Sequence, residues 1–258
     1  MPQLKLSPEP PVDESRMTAR SAGDTVDVSI VVMAYNEEAT VADVLREIDA
    51  TMRPSELAYE IIVVDDGSSD NTGGIADDAA RDIPRIKVVH HQSNLGIGEV
   101  YRSGFGAACG TFVTAIPADG QFPASLITEF AALVSTADLA LGYLPDIKRP
   151  PVAAVLSWLE RCLYRLMFGP FPSFQGLMMF RRSLLEELGV KSRGRGWAII
   201  MEIIVRANRQ GKAIVRVPTS LRPRKSGTSK VNNMRNILAN LRQALVLWLT
   251  IRREAGAA

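Results

Sequence analysis

Residues Glu60 to Val64, EIIVV, run without a break into Asp65 and Asp66 and then into the turn residues GSSDNT. An apolar, β-branched run of this kind reads as a strand covered on both faces, because a strand with one wet face would alternate. Covering both faces calls for a parallel sheet with helices above and below it. The two carboxylates stand where the strand leaves the core. Charges placed there cost free energy unless something binds them.

The rest of the chain repeats the pattern. Strand-like runs at Val28–Ala34, Ile86–His90, Thr111–Ile116 and Asp138–Gly142 alternate with helix-like stretches at 37–53, 69–82, 97–109 and 124–136. In the first helix Val41, Val44, Leu45, Ile48 and Met52 recur at spacings of three and four. Asn36 is suited to cap it, and Ser69 or Asp70 to cap the next. This order predicts an α/β fold with a mostly parallel sheet and helices on both faces. Ligands on such sheets sit beyond the carboxyl ends of the strands, where Tyr35–Glu37, Asp65, Asp66 and Asp119 fall. After 145 the alternation stops. Helices are expected at 152–168, 182–188 and 197–210, a strand at Ala213–Pro218, a basic loop at 221–230 (LRPRKSGTSK) and a helical tail at 231–253. Residues 1–26, rich in proline and poor in apolar residues, read as a disordered leader.

With 258 residues and 47% hydrophobic content, the chain can bury one full α/β core. A net charge of +2 gives no general case for nucleic acid. The basic excess in residues 191–253 points instead to anionic ligands or an anionic surface. Cys109 and Cys162 lack metal-ligand spacing and read as reduced core residues. There is no signal-peptide pattern and no apolar run of the roughly 18 residues that spans a bilayer, so a cytoplasmic protein is expected, with room for peripheral contact at the inner face of the membrane. The tail helix can lie in that interface, pack on the domain or form a homodimer.

Taken singly, the motifs have ordinary readings. Tyr35 can stack on a base and Glu37 can accept from a ribose, or both can simply begin a helix. Gly67 suits a tight turn, which accounts for the polar residues after it but not for the paired carboxylates Asp65 and Asp66. Gly96, Gly98 and Gly104 let the backbone approach a ligand or another helix, and Arg102 lies one turn beyond Gly98, where it could face a phosphate. Asp119 and Gln121 offer two hard oxygens in one loop, which suits Mg2+ or Mn2+. His90 and His91 read as structural. No GxGxxG follows the first strand, which argues against a dinucleotide-binding dehydrogenase.

Taken together, VSIVVMAYNEEATV, YEIIVVDDGSSDNT, NLGIGEVYRSGF, ADGQFP and GWAIIMEIIVRANRQGKAIVRVP followed by GTSK resemble family 2 glycosyltransferases, in collinear order from Val28 to Val231. The branch of dolichol- and polyprenyl-phosphate sugar transferases is the most similar. The resemblance implies a GT-A catalytic domain over 27–230, with a nucleotide-binding half at 27–145 and an acceptor half at 146–230, and an amphipathic tail at 231–258. It implies that Ala34, Tyr35, Glu37, Asp65, Asp66, Gly96 and Asp119 hold the nucleotide, and that Asp119 and Gln121 hold the metal. Arg102, Arg222, Lys225, Ser229 and Lys230 would bind phosphate or acceptor, and Asp119, Glu202 and Arg224 would serve catalysis. One position departs from the family pattern: where its DADxQ motif begins with Asp, this chain has Pro117.

The expected activity is inverting transfer of a sugar from a UDP- or GDP-linked donor to a polyprenyl phosphate. Two alternatives stand beside it: the same donor chemistry onto a soluble hydroxyl acceptor, and a non-catalytic nucleotide-sugar-binding partner subunit.

Overall fold

The computed structural model describes residues 26–145, 151–170, 172, 174–223 and 234–256, and for 151–157, 160, 234–240, 255 and 256 the backbone alone. Residues 1–25 of the expected leader, and Arg224, Lys225, Ser229 and Lys230 of the basic loop, lie outside the described residues. Along the chain come β1 (Val28–Ala34), α1 (Val41–Met52), β2 (Tyr59–Asp65), α2 (Thr72–Asp82), β3 (Ile86–His90), α3 (Ile97–Ala107), β4 (Phe112–Pro117), α4 (Ser125–Val134) and β5 (Leu139–Tyr143). Then follow α5 (Pro151–Phe168), β6 (Met178–Arg181), α6 (Leu184–Glu187), α7 (Ala198–Arg209), β7 (Ile214–Pro218) and α8 (Met234–Gly256).

Seven strands form one sheet in the order β3-β2-β1-β4-β6-β5-β7. All neighbours are parallel except β6, which runs antiparallel to both β4 and β5. Strand alternation divides the core in two. Ile30, Val32, Ile61 and Val63 face α1, α2 and α4, with Phe130 and Ile127 filling that layer. Val31, Ile62 and Val64 face α3 and α7, with Phe105, Phe180 and Ile203. Each strand of the β1–β2 pair thus meets apolar side chains on both faces, as EIIVV requires.

β6 was not foreseen. Its residues, MMFR, lack the β-branched side chains that mark the other strands, and β6 enters the sheet because Met178, Met179 and Phe180 are buried on its two faces. It also crosses the boundary expected at 145, since it sits between β4 and β5. The tail helix packs on the domain through Ala244, Leu247 and Ile251, which meet Val205 and Phe168. Among the described residues no helix is long and apolar enough to cross a membrane. Cys109 and Cys162 are both exposed, which corrects the reading of them as core residues. The Cys109 thiol donates to Glu60 Oε1 at 3.0 Å, and that bond raises its pKa, so it is a poor nucleophile.

Candidate functional site

Three segments leave the sheet at one edge. In register, Ala34 lies beside Asp65, Asp65 beside His90, and Met33 beside Pro117. The edge continues for a residue past the strands, with Asp66 N–H donating to Ala34 O and Ala118 N–H to Met33 O, each at 2.9 Å. The chain steps from β1 outward to β2 and β3, then returns to place β4 on β1's other side. That reversal makes the carboxyl ends of β1 and β4 the switch point of the sheet, the usual ligand site of such a fold. Tyr35, Glu37 and Asp119 follow those two strands.

The loop after β1 is stitched to the loop after β2. Asn36 adopts a left-handed φ of 52° and caps no helix. Its Oδ1 accepts from Ser69 N–H at 2.8 Å, while its own N–H donates to Ser68 Oγ at 3.0 Å. Glu37 N–H donates to Thr72 Oγ1 at 2.8 Å, and Asn71 N–H to Glu38 Oε2 at 3.0 Å. Neither Ser69 nor Asp70 takes the expected cap position of α2, which is Asn71 with no side-chain cap bond; Asp70 accepts from Thr72 N–H at 3.0 Å in a local turn just ahead of the helix. The two loops therefore form one rim.

Asp65 and Asp66 are both buried and have different surroundings. Asp65 accepts from Ser68 N–H at 3.1 Å, and His90 Nδ1 lies 3.1 Å from its other oxygen. His90 Nε2 lies 3.0 Å from Asp77. The bonds to Asp77 and Asp65 raise the His90 pKa, favouring an imidazolium between the two carboxylates. Asp66 points toward the loop before α3. It accepts from Leu95 N–H and Gly96 N–H, both at 2.9 Å, and His91 Nδ1 lies at 2.7 Å. A carboxylate can only accept, so His91 carries its proton on Nδ1; in the neutral ring Nε2 then accepts from Ser103 Oγ at 2.8 Å. His91 and Asp66 thus hold the 94–96 turn, and Gly96 enters the site through its backbone.

The glycines of that turn admit another segment of the chain. Gly96 has φ 89°, and a Cβ there would meet Arg195 O at 2.7 Å. A Cβ on Gly98 would meet Gly194 O at 2.0 Å. Arg195 also donates to Asn94 O at 2.8 Å. The 194–196 segment therefore closes on the start of α3, a contact that only the paired glycines SRGRG hint at in sequence.

Several expected site residues have other employment. Arg102 forms a two-pronged pair with Glu99 (2.8 and 2.6 Å) and donates to Ser192 O, so it braces α3 instead of facing a phosphate. Arg222 pairs with Glu47 Oε2 at 2.8 Å. Glu202 is fully buried. It accepts from Lys191 N–H (3.0 Å), Ser192 N–H (2.6 Å) and Arg206 Nε (2.7 Å), so it takes the i+4 partner and organises the 191–192 turn. Glu47 carried no sequence signal, since it occupies a polar position on an amphipathic helix.

Asp119 and Gln121 stay together: Gln121 N–H donates to Asp119 Oδ1 at 3.1 Å across the Gly120 turn. Among the described residues no three His, Cys, Asp or Glu side chains cluster as a metal site. One carboxylate and one amide oxygen nevertheless fit Mg2+ or Mn2+, which take oxygen ligands and fill the rest of their shell with water and diphosphate oxygens. Pro117 adds no side-chain donor.

The comparisons agree with this geometry. The glycosyl transferase family 2 model matches residues 29–189. Glycosyltransferase AglD of Haloferax volcanii is 31% identical over 94% of this chain, which spans only 40% of that relative's length. Polyprenol monophosphomannose synthase of Mycolicibacterium smegmatis is 28% identical, over 84% of this chain and 83% of its own. Glucosyl-3-phosphoglycerate synthase of Mycobacterium tuberculosis in complex with UDP superposes with TM-score 0.65 at 21% identity, covering 92% of this chain and 82% of that one. A sheet with β6 reversed, carboxylates at the strand ends beside its switch point and a family match over most of the domain lead to one assignment: the chain has the GT-A fold and belongs to glycosyl transferase family 2.

Proposed function

We propose that the protein transfers a hexose from a nucleoside-diphosphate sugar to a polyprenyl phosphate, with inversion at the anomeric carbon. The observation that carries this is the shared edge on which Tyr35, Asp65 and the Asp119–Gln121 turn meet beyond β1, β2 and β4. The acceptor class rests on the relative named for polyprenol monophosphomannose synthesis. Exposed Trp158, Leu159, Leu163 and Leu166 on α5 and Leu245, Val246 and Leu249 on α8 offer apolar surface where a lipid-borne acceptor could be met.

Tyr35 stacks on the base and Asp65 accepts from it, with His90 and Ser68 fixing the carboxylate. Asp119 and Gln121 would hold Mg2+ or Mn2+, which when bound supplies positive charge to the diphosphate. An acceptor phosphate is already anionic and needs no general base. Its oxygen bonds to the anomeric carbon as the bond from that carbon to the donor diphosphate breaks, and the nucleoside diphosphate leaves.

The test is turnover by the purified chain with GDP- and UDP-linked sugars, mannose first, and polyprenyl phosphate in detergent, with Mn2+, with Mg2+ and with chelator. Metal-dependent release of one nucleotide that requires the lipid supports the reading. Release onto a soluble alcohol alone favours the soluble-acceptor alternative, and nucleotide binding without turnover the partner-subunit one.

A further inference from the structure

We infer that Glu47 is a positioning residue for the candidate metal loop; the inference rests on the metal-assisted reading above. Glu47 lies on α1, outside every motif, yet its two oxygens tie that helix to the end of the 118–124 turn and to Arg222. Oε1 accepts from Ala124 N–H at 3.0 Å, just ahead of α4. Helix-start amides lack intrahelical partners, and a carboxylate there is favoured. Ala124 is buried, so water does not easily replace that bond. Oε2 accepts from Arg222 Nη1 at 2.8 Å. Arg222 in turn donates its N–H to Gln121 O at 2.8 Å, and Gln121 Nε2 lies 3.5 Å from Arg222 O.

The 118–124 turn is therefore held at three points. At its start Ala118 N–H is fixed to β1. At its end Ala124 is fixed to Glu47. In its middle Gln121 is fixed to Arg222, which Glu47 also holds. The two ligand candidates, Asp119 and Gln121, lie between these points. The Glu47 and Arg222 side chains are 37% and 46% exposed, so as an ion pair they add little to stability. What the pair does is set geometry, as groups behind metal ligands commonly do.

The experiment uses the full chain, Glu47→Ala and Glu47→Gln, saturated with the nucleotide that the wild type binds. Mn2+ affinity is read from the EPR signal of free Mn2+, nucleotide affinity is read separately in chelator, and folding by thermal unfolding. Glu47→Ala should weaken Mn2+ binding roughly tenfold with nucleotide affinity in chelator unchanged. Glu47→Gln keeps an oxygen for Ala124 N–H and should fall between the two. Mn2+ binding as tight as wild type in Glu47→Ala overturns the inference. So does an equal loss in chelator, which would mean general damage. A wild type that binds no nucleotide in a metal-dependent way defeats the underlying reading itself, and that outcome is visible before any variant is made.

Discussion

Glu202 offers a clean separation of structure from chemistry. It is fully buried, and its carboxylate serves two backbone amides and Arg206. Arg206 is itself only 13% exposed and also pairs with Glu254 on α8 at 2.8 Å. Glu202→Ala leaves a mostly buried guanidinium without its nearer partner, and removing one member of a buried pair costs roughly 3–5 kcal/mol. Each orphaned amide adds about 1–3 kcal/mol, but all three bonds share one carboxylate and do not sum independently. A loss of about 4–6 kcal/mol is expected. In a chain of this size each kcal/mol moves Tm by roughly 2–4 °C, so Tm should fall by about 10 °C or more. Glu202→Gln keeps an acceptor oxygen and should lose about half as much. Glu254→Ala removes the more exposed partner and should cost about 1 kcal/mol. Urea and thermal unfolding measure all three, and a double-mutant cycle of Glu202→Ala with Arg206→Met isolates the pair. If Glu202→Ala unfolds within about 1 kcal/mol of wild type yet loses turnover, Glu202 acts in the chemistry and the structural assignment fails.

Arg102→Ala should leave nucleotide affinity unchanged and lower stability by about 1 kcal/mol, because Arg102 spends its donors on Glu99 and Ser192; titration calorimetry checks this, and a large loss of affinity would return Arg102 to phosphate binding. Burial works against the Glu60 charge, but hydrogen bonds from Cys109 and Ser29 more than offset it and bring its pKa to about 2, from an ordinary 4.5. Its contribution is present above pH 4.5 and lost as pH falls through about 2. Acid unfolding followed by circular dichroism should therefore show a wild-type loss of stability in that window that Glu60→Gln lacks. Pro117→Asp would give the metal loop a second carboxylate and should tighten Mn2+ binding roughly tenfold by EPR titration; unchanged affinity would show that Pro117 lies away from the ion.

Much of this was legible in the sequence, and for nameable reasons. β1 and β3 fall at the expected residues because apolar runs end sharply in polar turns. The shared edge followed from strand–helix alternation. β6 was not legible, because methionine carries no strand preference and only burial on both faces makes MMFR a strand. Asn36 looked like a helix cap, but its partners are Ser68 and Ser69, some thirty residues on. Arg102 and Arg222 were read as anion ligands because spacing reveals a charge and not its partner. For Arg222 that partner, Glu47, lies 175 residues away.

β6 also determines what can be divided. Among the described residues β5 has β6 and β7 as its neighbours, and both come from the later part of the chain. A fragment ending at 145 would leave β5 with nothing to pair and β4 with a bare edge that templates association. The stretch that carries Tyr35, Asp65 and Asp119 is thus contiguous in sequence but not separable as a folding unit. Such a fragment should aggregate when expressed alone and be rescued by co-expression with the remainder, so donor-side and acceptor-side segments can be exchanged between relatives only as a whole sheet.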